Sequence, residues 1–508
     1  MRSLLVSLFV ATAFVSFAIA QTPVAYVYVA QTEPALNSPI GSQPVYVYAV
    51  DAAGKLTLVS GSPFTNVAGQ LVGVTPSHLI ARGYQGDLTG GLLPLNELYS
   101  YAVSSNGAIG QQQSQIDTQS YSGSNCQAAQ GADFPEGAEL DHSGKYVYVT
   151  YCDNAVQTYA LSSSGNLTFQ NATIYNNPNG TVGLPKLTGN DSFGYNQTVA
   201  DSSPVGPVGT FAAFQRASDG SLQYIGIPSV TGPSLPVDYY PSFGGIVTND
   251  PTNHLAAMLT VLKFTAPNTT TNVGCALASY TAGSQGQLTS TNTYASMPHV
   301  CGQSMILSPS GTVLALLSLD GTTLQLFHFN GAANISSAFA QVKGTSGWFT
   351  KLAWDKNNHL YALNGLSGRL HVYTVGASSV TEAAGSPYNV PYCGYDTQEN
   401  MPNCSQSLIV RSAATKACAA PSSNGVNVCS PANGASVGSP VSVEASATIS
   451  GGVYRFELWS NGSKLLTERD SGTMNESVPL SPGNYHLVFN AYNAAGVHAT
   501  AIRDITVK

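Results

Sequence analysis

The sequence predicts an all-β protein in which a seven-bladed β-propeller is followed by a small β-sandwich. Three observations lead to this fold class. Alternating aromatic and β-branched runs, each bounded by Gly, Asn, Asp or Ser turns, recur along most of the chain. An aromatic residue and a turn glycine keep a nearly constant offset between repeats. After a linker rich in Ala, Ser, Asn, Pro and Gly, alternating strands resume towards the C-terminus.

The N-terminal residues 1–20 are predicted to form a secretory signal peptide. Arg2 precedes an apolar run from Leu4 to Phe17, and Ala18-Ile19-Ala20 provides an A-x-A cleavage site before Gln21. No later apolar stretch reaches the ~20 residues that a membrane-spanning helix needs. We therefore expect an exported protein, in the periplasm, at the cell surface or outside the cell, without a membrane span in the mature chain.

The composition narrows the classes of partner. Charged residues make up only 9% of the 508 residues, with 26 acidic and 18 basic side chains. Because no basic patch occurs, nucleic acid is not expected as a partner. Hydrophobic residues, at 43%, are sufficient for large cores and exclude a disordered stalk. We expect a monomer that binds a glycan, a peptide or a cell-surface component and carries no cofactor.

The eight cysteines predict disulfides, because an exported chain favours bridges over metal or catalytic thiols. Pairing neighbours along the chain gives matching separations of 26, 26, 11 and 11 residues, and no pair has the CxxC spacing of a zinc or redox site. The predicted bridges are Cys126–Cys152, Cys275–Cys301, Cys393–Cys404 and Cys418–Cys429.

Seven copies of one repeat predict the propeller at residues 21–415. The clearest copy, Asp141 to Leu167, reads as two β-hairpins. The aromatic position is filled by Tyr48, Tyr101, Tyr159, Phe214, Tyr280, Phe327 and Tyr373, and the turn glycines are Gly54, Gly107, Gly165, Gly220, Gly286, Gly331 and Gly376. The offset is six residues in the first five repeats, then four and three. Six or eight blades remain possible because the second and fourth repeats keep their inner strands poorly.

The ring is predicted to close by joining the two ends of the propeller. The mature chain begins with a strand, Val24–Val29, that has no inner strand before it. An orphan strand, Ser407–Val410, follows the seventh repeat and matches inner strands such as Ser304–Leu307. We expect the orphan to complete the first blade, which removes an open sheet edge.

The repeat resembles a known group. The sequence GKYVYVTYCDNAVQTYAL is similar to a YVTN-type repeat, and GSPF (61–64) and GSPY (385–388) resemble the outer-strand ends of the same group. The region from about Val24 to Ala414 thereby resembles the seven-bladed propellers of the lactonase type, similar to the 6-phosphogluconolactonase class. The resemblance implies this fold and raises the possibility of lactone hydrolysis.

A linker is predicted at residues 416–426 and an Ig-like domain at residues 427–508. Asn461-Gly462 is a hairpin turn signal, and Tyr485, Leu487, Phe489 and Ala491 share one strand face. Pro482-Gly483-Asn484-Tyr485 is similar to a tyrosine corner. The sequences SPANGASVGSPVSVEA and ELWSNGSKL resemble bacterial Ig-like domains.

An acidic cluster with a histidine suggests a metal or acid–base site, but propeller geometry divides it. We call the face where inner strands begin the top face, and the face where they end the bottom face. Glu136 precedes an inner strand and His142 follows it, so six residues at ~3.3 Å separate them by about 20 Å. Asp141 and His142 are then predicted to be ordinary turn residues. The cluster consists of Asp133, Glu136, Glu139, Asp141 and His142.

The lactonase-type resemblance implies a Pro-His pair at the top end of an inner strand, with Arg and Glu at the same channel mouth. The matching place reads Pro135-Glu136, and Pro76-Ser77-His78 and Pro298-His299 are each displaced by at least one position. One hypothesis is a hydrolase that uses Glu136, His78 and His299 at the top mouth. The other interpretation, which we favour, treats both histidines as hydrogen-bonded loop residues.

Aromatic residues in the loops that lead into inner strands favour binding on the top face. Exposed rings are common anchors for sugars and peptides, although each ring could also serve local packing. The six propeller cysteines also map to the top face, where bridges would order the loops in advance. No GxSxG, HExxH or EF-hand motif occurs, so no metal is expected. The predicted binding residues are Phe134, Tyr239, Tyr240, Trp348, Tyr392 and Tyr395.

Overall fold

The structure is a computed structural model of the full chain. It describes residues 23–32, 42–86, 92–118, 135–151, 155–174, 184–200, 208–249, 253–266, 269–331, 335–344, 349–365, 367–390, 395–396, 401–402, 405–413, 418–437, 441–469, 471–478 and 480–508. In these ranges the chain is almost entirely β-strand, and the one helical element is a single 3₁₀ turn, Tyr294–Ser296.

Seven antiparallel sheets, each built on four strands, form the blades of a propeller. Blades 1 to 3 contain β1 (Ala25–Thr32), β2 (Ser42–Val50), β3 (Leu56–Leu58), β4 (Phe64–Ala68), β5 (Gln70–Val74), β6 (His78–Gly86), β7 (Leu92–Val103), β8 (Ile109–Asp117), β9 (Pro135–Leu140), β10 (Tyr146–Tyr151), β11 (Ala155–Leu161) and β12 (Leu167–Ile174). Blades 4 and 5 contain β13 (Lys186–Leu187), β14 (Phe193–Ala200), β15 (Val208–Arg216), β16 (Leu222–Gly226), β17 (Val230–Thr231), β18 (Tyr239–Asn249), β19 (His254–Ala266), β20 (Thr269–Ala282) and β21 (Leu288–Thr289). The remaining propeller strands are β22 (Gly302–Leu307), β23 (Val313–Ser318), β24 (Thr323–Phe329) and β25 (Ile335–Lys343) in blade 6, β26 (Lys351–Trp354), β27 (His359–Asn364), β28 (Arg369–Val375), β29 (Val380–Glu382) and β30 (Tyr388–Asn389) in blade 7, the small ribbon β31 (Tyr395–Asp396) and β32 (Met401–Pro402), and β33 (Ser405–Ser412).

The predicted closure of the ring is confirmed. Strand β33 pairs antiparallel with β1, from Ala25 opposite Ser412 to Thr32 opposite Ser405. It thereby becomes the inner strand of blade 1, whose other strands come from the N-terminus. Neighbouring inner strands contact each other at β33 and β5, β5 and β9, β13 and β18, β18 and β22, β22 and β26, and again at β26 and β33. The sheet order settles the blade count at seven.

The repeated turn glycine has a packing role at the blade junctions. Six of the seven turn glycines have a positive φ and lie against a ring at the start of the second strand of the preceding blade, and Gly376 is the exception. A β-carbon added to Gly220, for example, would come within 2.3 Å of the Tyr146 ring. Only glycine combines this backbone conformation with such a close approach. The pairs are Gly107 with Tyr26, Gly165 with His78, Gly220 with Tyr146, Gly286 with Phe193, Gly331 with His254, and Gly54 with His359.

The C-terminal region is a two-sheet sandwich. One sheet contains β34 (Gly425–Ser430), β36 (Val441–Thr448) and β39 (Thr473–Val478), and the other contains β35 (Ser436–Val437), β37 (Arg455–Ser460), β38 (Ser463–Arg469), β40 (Gly483–Tyr492) and β41 (His498–Val507). The sheets enclose Phe456, Leu458, Leu487 and Phe489. The predicted turn is present, because Asn461 and Gly462 both have positive φ between β37 and β38. The Tyr485 hydroxyl donates to the Ser481 carbonyl, as in a tyrosine corner.

Two of the four predicted cysteine pairs lie at disulfide distance. Cys275 and Cys301 have Cα atoms 5.0 Å apart, and Cys418 and Cys429 have Cα atoms 5.6 Å apart. The predicted pairs Cys126–Cys152 and Cys393–Cys404 fall outside the described residues and stay predictions.

The Ig-like domain docks on the bottom face of the propeller. Strand β33 runs from top to bottom, so the chain leaves the ring at Ala413 on the bottom face, shortly before the Ig-like domain begins. Lys356, in the β26–β27 hairpin, lies 2.7 Å from the Glu476 carboxylate on β39 and also donates to the Asn475 carbonyl. The lower mouth of the central channel therefore faces the Ig-like domain.

Candidate functional site

Three rings and a lysine cluster on the top face of blade 5. The Tyr239 and Tyr294 rings have centroids 5.5 Å apart, and the His299 ring lies 4.3 Å from that of Tyr294. The Lys263 ammonium is 5.7 Å from the Tyr239 ring centroid. Strand β18 begins at Tyr239 and pairs there with Lys263 on β19, which places both at the top. We call Tyr239, Lys263, Tyr294 and His299 the aromatic shelf.

The loop that carries the shelf is held in place by several independent contacts. The Asn292 side-chain oxygen accepts from the Ser279 backbone N–H at 2.7 Å, and the Leu277 N–H donates to the Pro298 carbonyl at 3.0 Å. The Cys275–Cys301 bridge ties the end of the same loop to β20. The His299 Nε2 atom is 2.8 Å from the Tyr294 carbonyl. The shelf is thus ordered before any ligand arrives.

Of the six predicted aromatic residues, Tyr239 is the one whose side chain is described. Tyr240 and Tyr395 lie on β18 and β31 with side chains outside the described set, and Phe134, Trp348 and Tyr392 lie outside the described residues. Tyr294 is a shelf residue that the sequence analysis missed. It stands in the segment NTYASMPHV, between an outer strand and an inner strand, so the rule that selected the other rings would also have selected Tyr294.

The placement of His78 at the top channel mouth was wrong. His78 begins β6 next to the β5–β6 hairpin, with Leu79 opposite Val74, and therefore lies on the bottom face. Its Nδ1 atom is 2.9 Å from the Ser77 hydroxyl, and its ring packs against Gly165 of blade 3. Burial lowers the pKa of His78. The same ring position is filled by Tyr26 and Tyr146 in other blades, so His78 serves blade packing.

The other two hydrolase candidates lie towards the top. His299 is exposed, but its Nε2 atom is engaged by the Tyr294 carbonyl. Glu136 lies on β9, at the end opposite to His142 as predicted, and its side chain is outside the described set. Because His78 lies on the bottom face, Glu136, His78 and His299 do not form one site.

The described part of the top channel mouth is lined by amides. Arg82 Nη2 donates to Gln70 Oε1 at 2.9 Å, and Thr350 donates to the Gln406 side chain. Gln303 donates to the Phe349 carbonyl at 3.4 Å. Each of these amide side chains takes part in at least one hydrogen bond, and no convergent His, Arg and Glu set lies among the described residues here.

Lys351 lies on the inner strand β26, and its side chain reaches solvent. The protein around it still desolvates the ammonium group and lowers the pKa of Lys351, and the neighbouring Lys186 ammonium lowers it further. Lys186 itself pairs with Glu139.

Asp141 and His142 lie in the β9–β10 turn, as predicted, and they also belong to a charge network that the sequence analysis missed. The Asp141 carboxylate is buried, accepts from the Lys145 and Tyr146 N–H groups, and lies 3.1 Å from the Arg216 guanidinium. Arg216 also lies 3.4 Å from Asp191, whose carboxylate is 2.6 Å from His142 Nδ1. This network joins the bottom hairpins of blades 3 and 4.

The network shifts the protonation of its members. Burial raises the pKa of Asp141, and the nearby Asp191 carboxylate raises it further. Burial opposes protonation of His142, but the hydrogen bond and charge of Asp191 outweigh it and raise the pKa of His142. Asp191 therefore favours the protonated form of His142, and Arg216 lies between the Asp141 and Asp191 carboxyl groups.

Within the described ranges, no group of three or more metal-ligating side chains comes together. No helix in the described part has the length and apolarity of a membrane span.

Comparisons with known proteins give one family match and several distant structural likenesses. Residues 425–495 match the bacterial Ig domain family. A Bacteroides fragilis protein described as a candidate 6-phosphogluconolactonase is similar in structure, with 9% identity over 76% of this chain and 98% of that chain, and a TM-score of 0.42. A periplasmic gluconolactonase from Pseudomonas aeruginosa covers 72% of this chain and 98% of its own, with 14% identity and a TM-score of 0.39.

The C-terminal part also has a structural likeness. Fibronectin(III)-like modules of CbhA from Clostridium thermocellum cover 16% of this chain and 94% of their own, with 17% identity and a TM-score of 0.15. A comparison with the sequences of curated proteins finds no match. Likenesses this distant do not transfer an activity to this chain. The seven sheets and the family match together give a seven-bladed propeller followed by a bacterial Ig domain.

Proposed function

We propose that the protein is an exported binding protein that recognises a glycan or a peptide on the top face of its propeller and has no catalysis of its own. The observation that carries this proposal is the aromatic shelf, in which Tyr239, Tyr294 and His299 form one connected surface. Aromatic rings with a polar tip give a large contact area for little conformational entropy, and Lys263 supplies a positive charge beside them.

The position of the shelf supports this role. The Ig domain contacts the bottom face through Lys356 and Glu476, which leaves the top face as the side that a large ligand approaches. The disulfide Cys275–Cys301 and the Asn292 hydrogen bonds reduce the entropy that the shelf would lose on binding.

Export is part of the proposal. It rests on the signal peptide predicted at residues 1–20 and on the cysteine pairs at disulfide distance, because such bridges persist in oxidising compartments. N-terminal sequencing of the mature protein would test it, with Gln21 as the expected first residue.

A lactone hydrolase is the weaker hypothesis. The resemblance to lactonase-type repeats favours it, but one of its proposed histidines, His78, lies at the opposite end of the ring from Glu136. The described top mouth presents amide side chains that bond to Arg82, Thr350 and the Phe349 carbonyl. General acid–base catalysis needs a base within hydrogen-bond reach of the reacting group, and no such pair is assembled among these residues.

The test is a glycan and peptide array probed with the mature protein, followed by affinity measurements on a Tyr239→Ala/Tyr294→Ala variant. We expect the variant to stay folded, with a lower melting temperature because both rings also pack against the core of blades 4 and 5. It should lose at least about tenfold in affinity, or about 1.4 kcal/mol, for the ligand that the array identifies. The matched control is Phe339→Ala, which removes a ring stacked on His328 away from the shelf and should leave affinity unchanged.

Two results would contradict the proposal. One is undiminished affinity in a well-folded double variant, which would place the ligand elsewhere. The other is turnover of a sugar lactone by the purified protein that Glu136→Ala abolishes, which would assign catalysis to the top mouth.

A further inference from the structure

The bottom face and the Ig domain enclose a deep cleft. One cavity of about 690 Å³ lies between the bottom hairpins of blades 3 to 5 and the Ig domain, and an adjoining cavity of about 550 Å³ lies below the channel. His142, Thr467 and Glu468 line both, so the two form one interdomain cleft. Volumes in this range are typical of small-molecule sites.

The positive charges that line the cleft already have partners. Each cation lies against a carboxylate: His142 at 2.6 Å from Asp191, Arg216 at 3.1 Å from Asp141, Lys356 at 2.7 Å from Glu476, and Lys186 against Glu139. Glu468, on the edge strand β38, forms no ion pair within the described part of the chain. The cleft therefore contains one carboxylate whose charge is not balanced by a contact.

The surroundings disfavour the ionised form of Glu468. Burial raises the pKa of Glu468 to about 7, and the charges of Glu476 and Asp191 add to the rise more than Lys356 and His142 oppose it. The charged groups that face Glu468 lie on four elements besides its own: Glu476 on β39, Lys356 in the β26–β27 hairpin, Asp191 in the β13–β14 hairpin and His142 in the β9–β10 hairpin. Such a perturbed carboxyl in a cleft is a common feature of functional sites.

A second observation points to the same ligand chemistry. Tyr454 lines the cleft, and 44% of its surface is exposed, which is unusual for a large ring beside a domain interface. A carboxylate and an aromatic face together are the groups that recognise an ammonium ion. The hydroxyl and amide groups of Ser143, Asn190 and Asn253 supply further hydrogen-bonding partners.

We propose that the interdomain cleft binds a small organic amine, whose ammonium group pairs with Glu468 and lies against Tyr454. An anion is not the expected ligand, because every cation that lines the cleft already pairs with a carboxylate. A bare metal ion would lack a third ligating side chain among the described residues. This site lies on the bottom face of the propeller. It therefore does not depend on the binding function proposed for the top face.

The pH dependence of binding follows from the raised pKa of Glu468. Below about pH 6 the carboxyl is mostly protonated and cannot balance an ammonium ion, and protonated His142 then adds repulsion. As the pH rises through about 7, Glu468 ionises and the amine gains its counterion. Amine binding therefore strengthens with rising pH over this window.

The test uses the full mature chain, 1,4-diaminobutane as the probe and 1,4-butanediol as the uncharged analogue, with calorimetric titration at about pH 8 and about pH 5.5. We expect the diamine to bind at the higher pH, at least about tenfold more weakly at the lower pH, and the diol not to bind. Glu468→Gln should weaken diamine binding at least tenfold at the higher pH and leave only the smaller pH dependence that comes from His142, and Tyr454→Ala should weaken binding independently.

The control variant is Asp504→Asn, which neutralises an exposed carboxylate on β41, away from β38 in the same sheet, and should bind like the parent. The proposal is overturned if the diamine does not bind at the higher pH. Equal binding by the parent and Glu468→Gln, or by the diamine and the diol, would also overturn it.

Discussion

At the scale of the residue, one contact repeats around the ring. In six of the seven blades the turn glycine contacts a ring from the blade before it, and at three of these junctions the next tyrosine along that strand donates its hydroxyl to the glycine carbonyl. The Tyr148 hydroxyl, for example, lies 2.7 Å from the Gly220 carbonyl in a buried position. The turn glycine that recurs in the sequence is therefore also a residue of the blade-to-blade contact.

We expect Tyr148→Phe to lower the free energy of unfolding by about 1–2 kcal/mol, because it leaves a buried carbonyl without its donor. Tyr26→Phe is the matched control. The Tyr26 hydroxyl donates no hydrogen bond within the described residues, so the change should stay within about 0.5 kcal/mol. Denaturant unfolding of both variants measures the difference. Equal losses would show that the tyrosine–glycine bond does not stabilise the junction.

Local repeats could be predicted from the sequence, and contacts between distant residues could not. The glycines and rings could be predicted because they recur at short, regular offsets. The network of Asp141, His142, Asp191 and Arg216 could not, because its members are up to 75 residues apart and no local pattern links them. His78 was misplaced for a related reason: the Pro-His pattern is the same whether the pair begins or ends an inner strand, and only the sheet register decides the face.

At the scale of the element, the strand that closes the ring is the one that matters most. The closure could be predicted because the first repeat lacks an inner strand and the last is followed by an orphan strand. Strand β33 fills that place over eight registered pairs, and Leu408 is buried in the core between blades 1 and 7. The small addition β17 could not be predicted, since its loop has no recurring pattern, and the GSPF and GSPY segments mark β4 and β30 without revealing that these pair with β2 and β28.

We expect deletion of Ser405–Ser412 to abolish the single cooperative unfolding transition of the propeller, because blade 1 then loses its inner strand and the ring opens. Deleting the outer strand Val380–Glu382 is the control, and it should lower the melting temperature while keeping one transition, since that strand pairs only at the outer rim. Scanning calorimetry distinguishes the two outcomes. A β33 deletion that melts like the parent would rule out closure by strand exchange.

At the scale of the whole molecule, the two faces of the ring have different surroundings. Strand β33 ends at the bottom face, and the Ig domain docks there. Lys356 of the propeller contacts the Asn475 carbonyl and the Glu476 carboxylate of the Ig domain. The sequence could predict each domain from its own repeat or strand pattern. It could not predict their docking, because a small polar interface leaves no periodic signal. The interdomain cleft exists only when the Ig domain docks there, and the top face with the aromatic shelf stays open because the docking is on the other face.

Zero-length carbodiimide crosslinking followed by mass spectrometry tests the docking most directly, because it joins only amines and carboxylates that are already in contact. We predict a crosslink between Lys356 and Glu476, which lie 2.7 Å apart, and its loss in a Lys356→Ala variant. The pair Lys186 and Glu139 within the propeller is the internal control. A folded protein that yields the control crosslink but none between Lys356 and the Ig domain would contradict the docking.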